Sequence, residues 1–596
     1  MRDNNTKYRL FSRRTLIIGG IKLLLLSAIA SRYFHLQILK SDKYHTLSDK
    51  NRFKFNIVAP DRGKIFDRYS NEIATNTRHF RLVVDSMSIK NIDSLLAKLR
   101  TIAGPKFNIP KEEIQAKIAK RHTHDYLYIA DDITWKENAK ITESLHELPG
   151  VDIIISSHRH YNYGEATAHI TGYIGLPTPD EIEKYSIPLS NQIKIGKSGI
   201  ERFYDYELRG KTGYKKNEVD VHGGLIRNIS QNLPISGNNI RLSVDAELQN
   251  FIDSIFKSRG FDGAAVVLDA QTGEVLALNV KPSFDPNQFV DGVKKQYWDS
   301  ITQNATVYPL LNRAVSSAYP PGSTFKLVTA LAGLRNNIPH TQTYHCSGVF
   351  NMGHRQVKCW KADGHGTINM HTAIAQSCNP YFFNLALAIG MDKLAKTAKD
   401  LGLGAKTNVE LLGEASGIMP DPSWKKNRFK LAWYPGDTVN ASIGQGYVLS
   451  TPIQLAQMTA RIATGRIVKP SLTLVTDPYD FDSLDIDKSA FHHVRTGMFK
   501  CANSPEGLLF RQSLSVGDLT VCGKTGTAQV VDLKKKNLKR NFKHHSLFTS
   551  FAPYEDPKYV VSVVVEHGES GARSATPVAK EIYAFLYRNR IVSKQS

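Results

Sequence analysis

Ala264-Ala265-Val266-Val267-Leu268-Asp269 leads through Ala270-Gln271-Thr272-Gly273-Glu274 into Val275-Leu276-Ala277-Leu278. This is an apolar strand, a turn bearing glycine and a second apolar strand, the pattern of a hairpin. Strand texture returns far downstream, at Leu519 to Val531, Leu547 to Pro553 and Tyr559 to Glu566, ahead of a helix expected over Pro577 to Leu586. Between the two sets, from roughly 320 to 500, the chain is polar and helical. Strands from both ends enclosing a helical middle imply one non-contiguous antiparallel sheet covered by helices, an α+β fold.

Working outward, the texture changes near Ile240, so residues 241–596 are expected to form one domain. From about Tyr44 to Ile240 the sequence is polar, with short strand-like runs such as Phe80-Arg81-Leu82-Val83-Val84. Lys- and Glu-rich helical stretches, Pro110 to Ala119 among them, lie between these runs. Residues 35–240 are therefore expected to be a separate, elongated α+β pedestal without nucleophile geometry. Two segments in it, Arg62 to Arg68 and Gly199 to Gly210, set glycines beside paired charges. That is the pattern of tight turns locked by salt bridges, with ordinary solvated surface as the alternative.

Ahead of the pedestal, Thr15 to Phe34 reads TLIIGGIKLLLLSAIASRYF, about the length a hydrocarbon core requires. Lys22 and Arg32 can snorkel toward the headgroups. Arg2, Lys7, Arg9, Arg13 and Arg14 stand before it against Asp3 alone, so the positive-inside rule makes 1–14 a cytoplasmic tail and 15–34 a single-pass anchor. The remaining chain then lies outside the membrane. A cleavable signal peptide is the rival, but its apolar region would be long. A chain of 596 residues is too long for one compact core. Its 77 Lys plus Arg against 55 Asp plus Glu give a formal charge of +22, spread along the chain. No nucleic-acid-binding motif accompanies that charge, and an anionic lipid surface or wall polymer accounts for it equally well.

The chemistry centres on Tyr319-Pro320-Pro321-Gly322-Ser323-Thr324-Phe325-Lys326. Ser323 and Lys326, three apart at a helix start, face the same side. A serine needs a base within hydrogen-bond reach, and a lysine serves when burial or neighbouring cations make its amine neutral. Alone, the pair is weak, since such spacing arises by chance. Two more elements follow in order. Ser377-Cys378-Asn379, after a helical stretch at Met370 to Gln376, offers a second hydroxyl and an amide. Val521-Cys522-Gly523-Lys524-Thr525-Gly526-Thr527 is strand-like, with small residues where an extended peptide can add along the backbone. Lys524 supplies charge for a carboxylate, Thr525 and Thr527 supply hydroxyls, and the backbone N–H groups of Ser323 and Thr527 suit an oxyanion. Gly210-Lys211-Thr212-Gly213 repeats the lysine-threonine-glycine triplet, but in a charged region before the serine. Order and context select the copy at Lys524–Gly526.

Taken together, these signatures resemble those of the class B penicillin-binding proteins, most closely the penicillin-binding protein 2, or elongation, group. The resemblance implies a penicillin-binding transpeptidase fold over 241–596 and a non-catalytic, dimerisation-like pedestal before it. It implies a peptidoglycan D,D-transpeptidase, with a D,D-carboxypeptidase side activity possible. Ser323 would attack the penultimate D-alanine carbonyl of a stem peptide, and Lys326 would take its proton. Ser377 and Asn379 would assist proton transfer and placement, Lys524 with Thr525 would hold the donor carboxylate, Gly526 would complete that catalytic signature, and β-lactams would acylate the same serine. Expected partners are a glycosyltransferase and other membrane proteins of the elongation complex. Members of the group often carry aspartate where this chain has Asn379, and tryptophan where it has Leu547. These departures keep a division-type transpeptidase in view. A β-lactamase or β-lactam sensor fits the anchor and short tail less well, and an inactive scaffold fits the intact signatures poorly.

Five cysteines complete the reading, at 346, 359, 378, 501 and 522. Cys346, Cys359 and Cys378 with His365 make an acceptable tetrahedral zinc set, though the spacings are wider than in compact zinc motifs. Some rod-type relatives resemble this in holding a metal ligand set between the first two signatures, with carboxylates in place of Cys346 and Cys359. Such a structural zinc would pin the loop to Cys378, beside Ser377. A Cys346–Cys359 disulfide is the alternative in an oxidising compartment, and Asp363 is a substitute ligand.

Overall fold

The computed structural model describes residues 13–44, 52–85, 92–104, 126–148, 150–185, 193–219, 225–303, 307–353, 355–474, 480–529 and 543–595. The helical stretch expected over 110–119 and the tail over 1–12 lie outside these residues. Helix α1 (Arg13–Phe34) runs into a π-turn at His35–Leu39, so the apolar span reaches five residues beyond the expected Phe34. Leu23 to Leu26 are each more than half exposed. Leucines facing outward all round a helix are stable in hydrocarbon, not in water, and the helix is the anchor of a single-pass inner-membrane protein with a periplasmic body.

Two compact units interleave along the chain. One comprises Met1–Pro60, Arg78–Ser156 and Lys211–Ile235. It contains an antiparallel three-stranded sheet of Phe53–Val58, Gly213–Val219 and Leu225–Asn232. It also holds a small core in which Leu82 and Val84 meet Leu95 and Leu99 of the helix Ile92–Ala103.

The second unit comprises Asp61–Thr77, Ser157–Gly210 and Ser236–Ser596. Its sheet has strands β1 (Gly263–Asp269), β2 (Val275–Lys281), β3 (Cys522–Ala528), β4 (His545–Ala552) and β5 (Tyr559–Val565) in the order β2-β1-β5-β4-β3, all antiparallel. The early hairpin thus joins the late strands through β1 and β5, as the sequence implies. Both faces are covered: Ala264, Val266 and Leu268 enter one core, and Ala265 and Val267 the other. That is why β1 reads as an unbroken apolar run instead of an alternating one. Helices α2 (Ala246–Arg259) and α8 (Ala575–Gln595) pack on the second face, and α6 (Pro452–Thr464) lies on the first. The helical middle also supplies α3 (Lys326–Arg335), α4 (Met370–Ala375), α5 (Asn379–Ile389) and α7 (Lys488–Asn503). From Lys326 to Gly333 every residue of α3 is buried.

The two charged, glycine-bearing segments meet within this unit. Arg62 Nε donates to Glu201 Oε2 at 2.5 Å and Arg62 Nη2 to Asp205 Oδ1 at 2.9 Å, while Arg159 Nε donates to Glu201 Oε1 at 2.7 Å. Glu201 is wholly buried. A Cβ on Gly172 would sit 1.9 Å from Ser198 O, and Gly172 and Gly199 both take positive φ, so the turn that delivers Glu201 requires glycine twice. Burial favours the protonated acid, but Arg159 and Arg62 outweigh it and hold the Glu201 carboxyl below its ordinary value. That stabilisation is present above the unfolded carboxylate value and is lost as pH falls through the depressed one. Glu201→Ala leaves the buried Arg159 without its carboxylate and Arg62 with Asp205 alone, and is expected to cost about 3–5 kcal/mol, read by denaturant unfolding. A loss below about 1 kcal/mol would mean that the node is solvated.

Candidate active site and metal-binding cluster

Gly322–Phe325 forms a 3₁₀ turn that continues into α3, so the nucleophile candidate Ser323 stands at the helix start and Lys326 on its first turn. Gly322 has φ 55°, and a Cβ there would meet Thr527 O at 2.5 Å and Thr527 N at 3.0 Å. Only glycine lets the serine turn lie this close to β3, which brings the backbone at Ser323 beside that at Thr527. On the other side the turn is held by Gly322 N–H donating to Gly444 O at 3.0 Å, and Gln445 Nε2 donates to Thr527 O at 3.0 Å. Sequence reasoning missed Gly444 and Gln445. Their signal, Gly444-Gln445-Gly446 between Ile443 and Tyr447, has no meaning without the strand it supports.

Ser323 is half-buried, whereas Lys326 and Lys524 have no exposed surface. Lys326 Nζ lies 2.7 Å from Ser377 O, 3.1 Å from Ser377 Oγ and 2.6 Å from Asn379 Oδ1. Lys524 Nζ donates to Ser377 Oγ at 2.9 Å and to Thr525 O at 3.2 Å. With Lys326 in its charged form, the Ser377 hydroxyl accepts from two lysines, which occupies both its lone pairs and leaves its own hydrogen to point elsewhere. Ser377 adopts φ 55°, a costly conformation for a non-glycine residue and common where side chains are aimed for function. Its carbonyl is tied further by Trp360 Nε1 at 3.2 Å.

Burial, and then the charge of Lys524, push the Lys326 amine well below the ordinary lysine value; burial lowers Lys524 too. A neutral Lys326 keeps two N–H donors and gains a lone pair, which is what a serine proton requires. Because Lys524 Nζ is enclosed, an incoming carboxylate meets the half-buried Thr525 and Thr527, with the lysine charge behind them. Strand β3 pairs with β4 on one side, and among the described residues no strand occupies its other edge. An extended peptide has a free ladder there. The decoy Lys211 is exposed and carries only a backbone bridge to Ile235.

The sequence's four metal-ligand candidates come together. The ligand atoms of Cys346, Cys359, His365 and Cys378 all lie within 4.8 Å of one another. His365 Nδ1 stands 3.5 Å from Cys346 Sγ and 3.6 Å from Cys359 Sγ. All five cysteines are free and buried. Two short hairpins shape the cradle, Tyr344–Cys346 with Gly366–Ile368 and Val349–Met352 with Arg355–Lys358. The neighbouring Cys378 thiol holds the Cys359 thiol below its ordinary value, against the effect of burial. The same proximity, together with burial, pushes Cys378 up. Three buried thiols and a half-buried imidazole at these separations can hold a metal ion.

The chain matches two family models, the penicillin-binding protein transpeptidase domain over residues 263–584 and the penicillin-binding protein dimerisation domain over 57–242. Each of the three catalytic signatures falls inside the first match. The chain belongs to the class B penicillin-binding proteins of the elongation type. It is 32% identical to the peptidoglycan D,D-transpeptidase MrdA of Haemophilus influenzae over 616 residues, covering 99% of this chain and 94% of that one. Against MrdA of Escherichia coli it is 32% identical over 603 residues, covering 96% and 94%. Penicillin-binding protein 2 of Helicobacter pylori, solved in complex with MreC, matches with a TM-score of 0.80 at 31% identity, over 90% of this chain and 99% of that one. Asn379 and Leu547, the departures from the group's common form, therefore do not move the chain to the division-type transpeptidases. They are substitutions within an elongation-type enzyme, and Asn379 Oδ1 still reaches Lys326 Nζ.

Proposed function

We propose that this elongation-type peptidoglycan D,D-transpeptidase cross-links stem peptides through an acyl-enzyme on Ser323. The observation that carries the assignment is the enclosed amine of Lys326, three residues from Ser323 and joined through Ser377 Oγ to Lys524. Lys326, as the neutral amine, takes the proton while Ser323 Oγ bonds to the penultimate D-alanine carbonyl carbon. Negative charge collects on the carbonyl oxygen between the N–H groups of Ser323 and Thr527. As the tetrahedral centre collapses, the amide C–N bond breaks and terminal D-alanine leaves with a proton relayed by the Ser377 hydroxyl. Thr525 and Thr527, backed by Lys524 and the small Gly526, hold the donor carboxylate, and Asn379 orients the donor beside Lys326. The amine of a second stem then attacks the ester. β-Lactams form the same ester and leave poorly. Mass spectrometry of the penicillin adduct is expected to put the added mass on the peptide containing Ser323; an adduct on another peptide would refute the assignment.

Residues 1–14, 15–34, 35–240 and 241–596 are proposed as tail, anchor, pedestal and transpeptidase domain. The match of the dimerisation model over 57–242 supports that division. The pedestal is proposed to contact elongation-complex membrane proteins, a glycosyltransferase among them; the MreC complex of the Helicobacter relative supports this. A membrane-anchored form carrying 241–596 alone is expected to take up labelled penicillin yet not restore rod growth to a depleted strain. Restored growth would contradict the pedestal's role.

Cys346, Cys359, His365 and Cys378 are proposed as ligands of a structural zinc ion. The soft, closed donor set favours zinc over the hard cations. Once bound, the ion fixes the Cys346–Cys378 segment and takes no part in bond making.

A further inference from the structure

A cavity of about 210 Å³ in the second compact unit is used by none of this chemistry. His169 and Tyr173 line it on one side and Leu311 and Leu412 on another, with Phe284 and Ser198 between. Its walls mix polar and apolar surface in nearly equal measure, and two of the lining residues carry a buried side-chain atom without a hydrogen-bond partner, His169 Nε2 and Ser198 Oγ. An orphaned buried polar atom is costly, and two in one cavity of this size point to a missing ligand.

The chemistry of that ligand can be read from the lining. Burial, and then the charge of Arg313, disfavour the protonated His169 ring, and the backbone of Pro282 and Pro309 lies beside it. With Nε2 unpartnered, the N–H is assigned to Nδ1, toward that backbone, which gives Nε2 a lone pair. It therefore asks for a donor. Ser198 Oγ can then donate to, or accept from, the same ligand atom. The ring of Phe284 meets His169 edge-on at 5.3 Å and Tyr173 at 5.8 Å, a lining that accepts a further ring in offset or edge geometry. A 150 Å³ apolar cavity holds benzene, so this one has room for a ring with a substituent or a second fused ring. Leu412, 56% exposed, forms an apolar lip.

We infer that this cavity is a binding site for a phenol- or indole-type group, whose O–H or N–H donates to His169 Nε2 beside Ser198 Oγ. The group is either a free small aromatic or a tyrosine or tryptophan side chain offered by another polypeptide. The full-length protein in lipid nanodiscs, with empty discs subtracted, is titrated calorimetrically with p-cresol, toluene and N-acetyltyrosinamide. Saturable binding of p-cresol at one site is expected, with toluene about tenfold weaker because it leaves Nε2 unsatisfied. Equal binding of N-acetyltyrosinamide assigns the site to a side chain, and its exclusion assigns it to a free aromatic. His169→Phe is expected to reduce p-cresol to the level of toluene, and Leu412→Trp to fill the cavity and abolish binding of both. Labelled penicillin uptake checks that each variant is folded. No saturable p-cresol binding, p-cresol and toluene binding alike, or unchanged p-cresol binding in a folded Leu412→Trp protein would overturn the inference.

Discussion

Ser323→Ala is expected to abolish covalent labelling by penicillin, and Lys326→Met to slow it by about 10²–10⁴-fold, the range a positioned general base contributes. The two should differ in stability in an informative way. Ser323→Ala removes one half-buried hydroxyl and should change stability by a few tenths of a kcal/mol, as surface-like changes do. Lys326→Met removes an enclosed amine whose burial disfavours its charge, and puts an apolar chain of similar reach among Phe382 and the rest of the α5 packing. It loses the contacts to Ser377 and Asn379 but also loses the desolvation cost, so stability is expected to hold or rise. A residue whose loss cripples acylation without cost to the fold is kept for chemistry. In the wild type, acylation is expected to rise with pH through the depressed Lys326 value, because the neutral amine is the active base. The same depression means the unfolded chain binds more protons between the folded value and 10.5, so Lys326 makes stability rise with pH across that window. An acylation rate that stays flat over the whole pH range in which the protein is folded, or a Lys326→Met enzyme acylated at the wild-type rate, would remove Lys326 from the base role.

How much of this could be read before the structure depends on where the deciding contacts lie in the chain. β1 and β2 were legible because both faces of the sheet are buried, so burial writes itself as an uninterrupted apolar run. Ser323 and Lys326 were legible because a helix turn fixes their geometry at three residues' spacing. The edges of β3 were less so: the apolar texture begins at Leu519, but pairing with β4 starts only at Cys522. Val521 is buried without being in the ladder, and sequence cannot distinguish those two states. Arg159 was invisible. It sits within a strand, among polar residues, and its partner Glu201 is 42 positions away. The charged segments Arg62–Arg68 and Gly199–Gly210 announced a locked turn but not the fourth charge, Arg159, that balances it. The positive φ of Ser377 was equally hidden, since nothing in Ser-Cys-Asn demands it. It falls in the middle of the three-residue link Gln376–Cys378 between α4 and α5, where Lys326 holds both its carbonyl and its hydroxyl. Long-range contacts that set a backbone angle leave no local mark.

That dependence of Ser377 on its surroundings gives the metal cluster its expected effect on catalysis. Cys378 follows Ser377 directly and opens α5, so a metal ion bound through Cys378 clamps the residue that both lysines address. With Cys359→Ser, or after prolonged dialysis against a strong chelator, the Cys346–Cys378 segment loses its tether and Ser377 its fixed φ. Misplacement of a catalytic group by about 1 Å costs roughly 10²-fold in rate, and a loss of penicillin acylation of that order is expected. The melting temperature should fall in parallel, since a metal that binds only the folded chain stabilises it by mass action. Restoring zinc to the chelated wild type should recover both, whereas magnesium should recover neither, because a thiolate set is a poor site for a hard cation. Elemental analysis of tag-free protein is expected to find one zinc per chain, absent from Cys359→Ser. Full acylation and an unchanged melting temperature in metal-free protein would show that the loop stands without an ion. Protein that lacks metal and is two protons light across the Cys346 and Cys359 peptides would establish a disulfide as the tether instead.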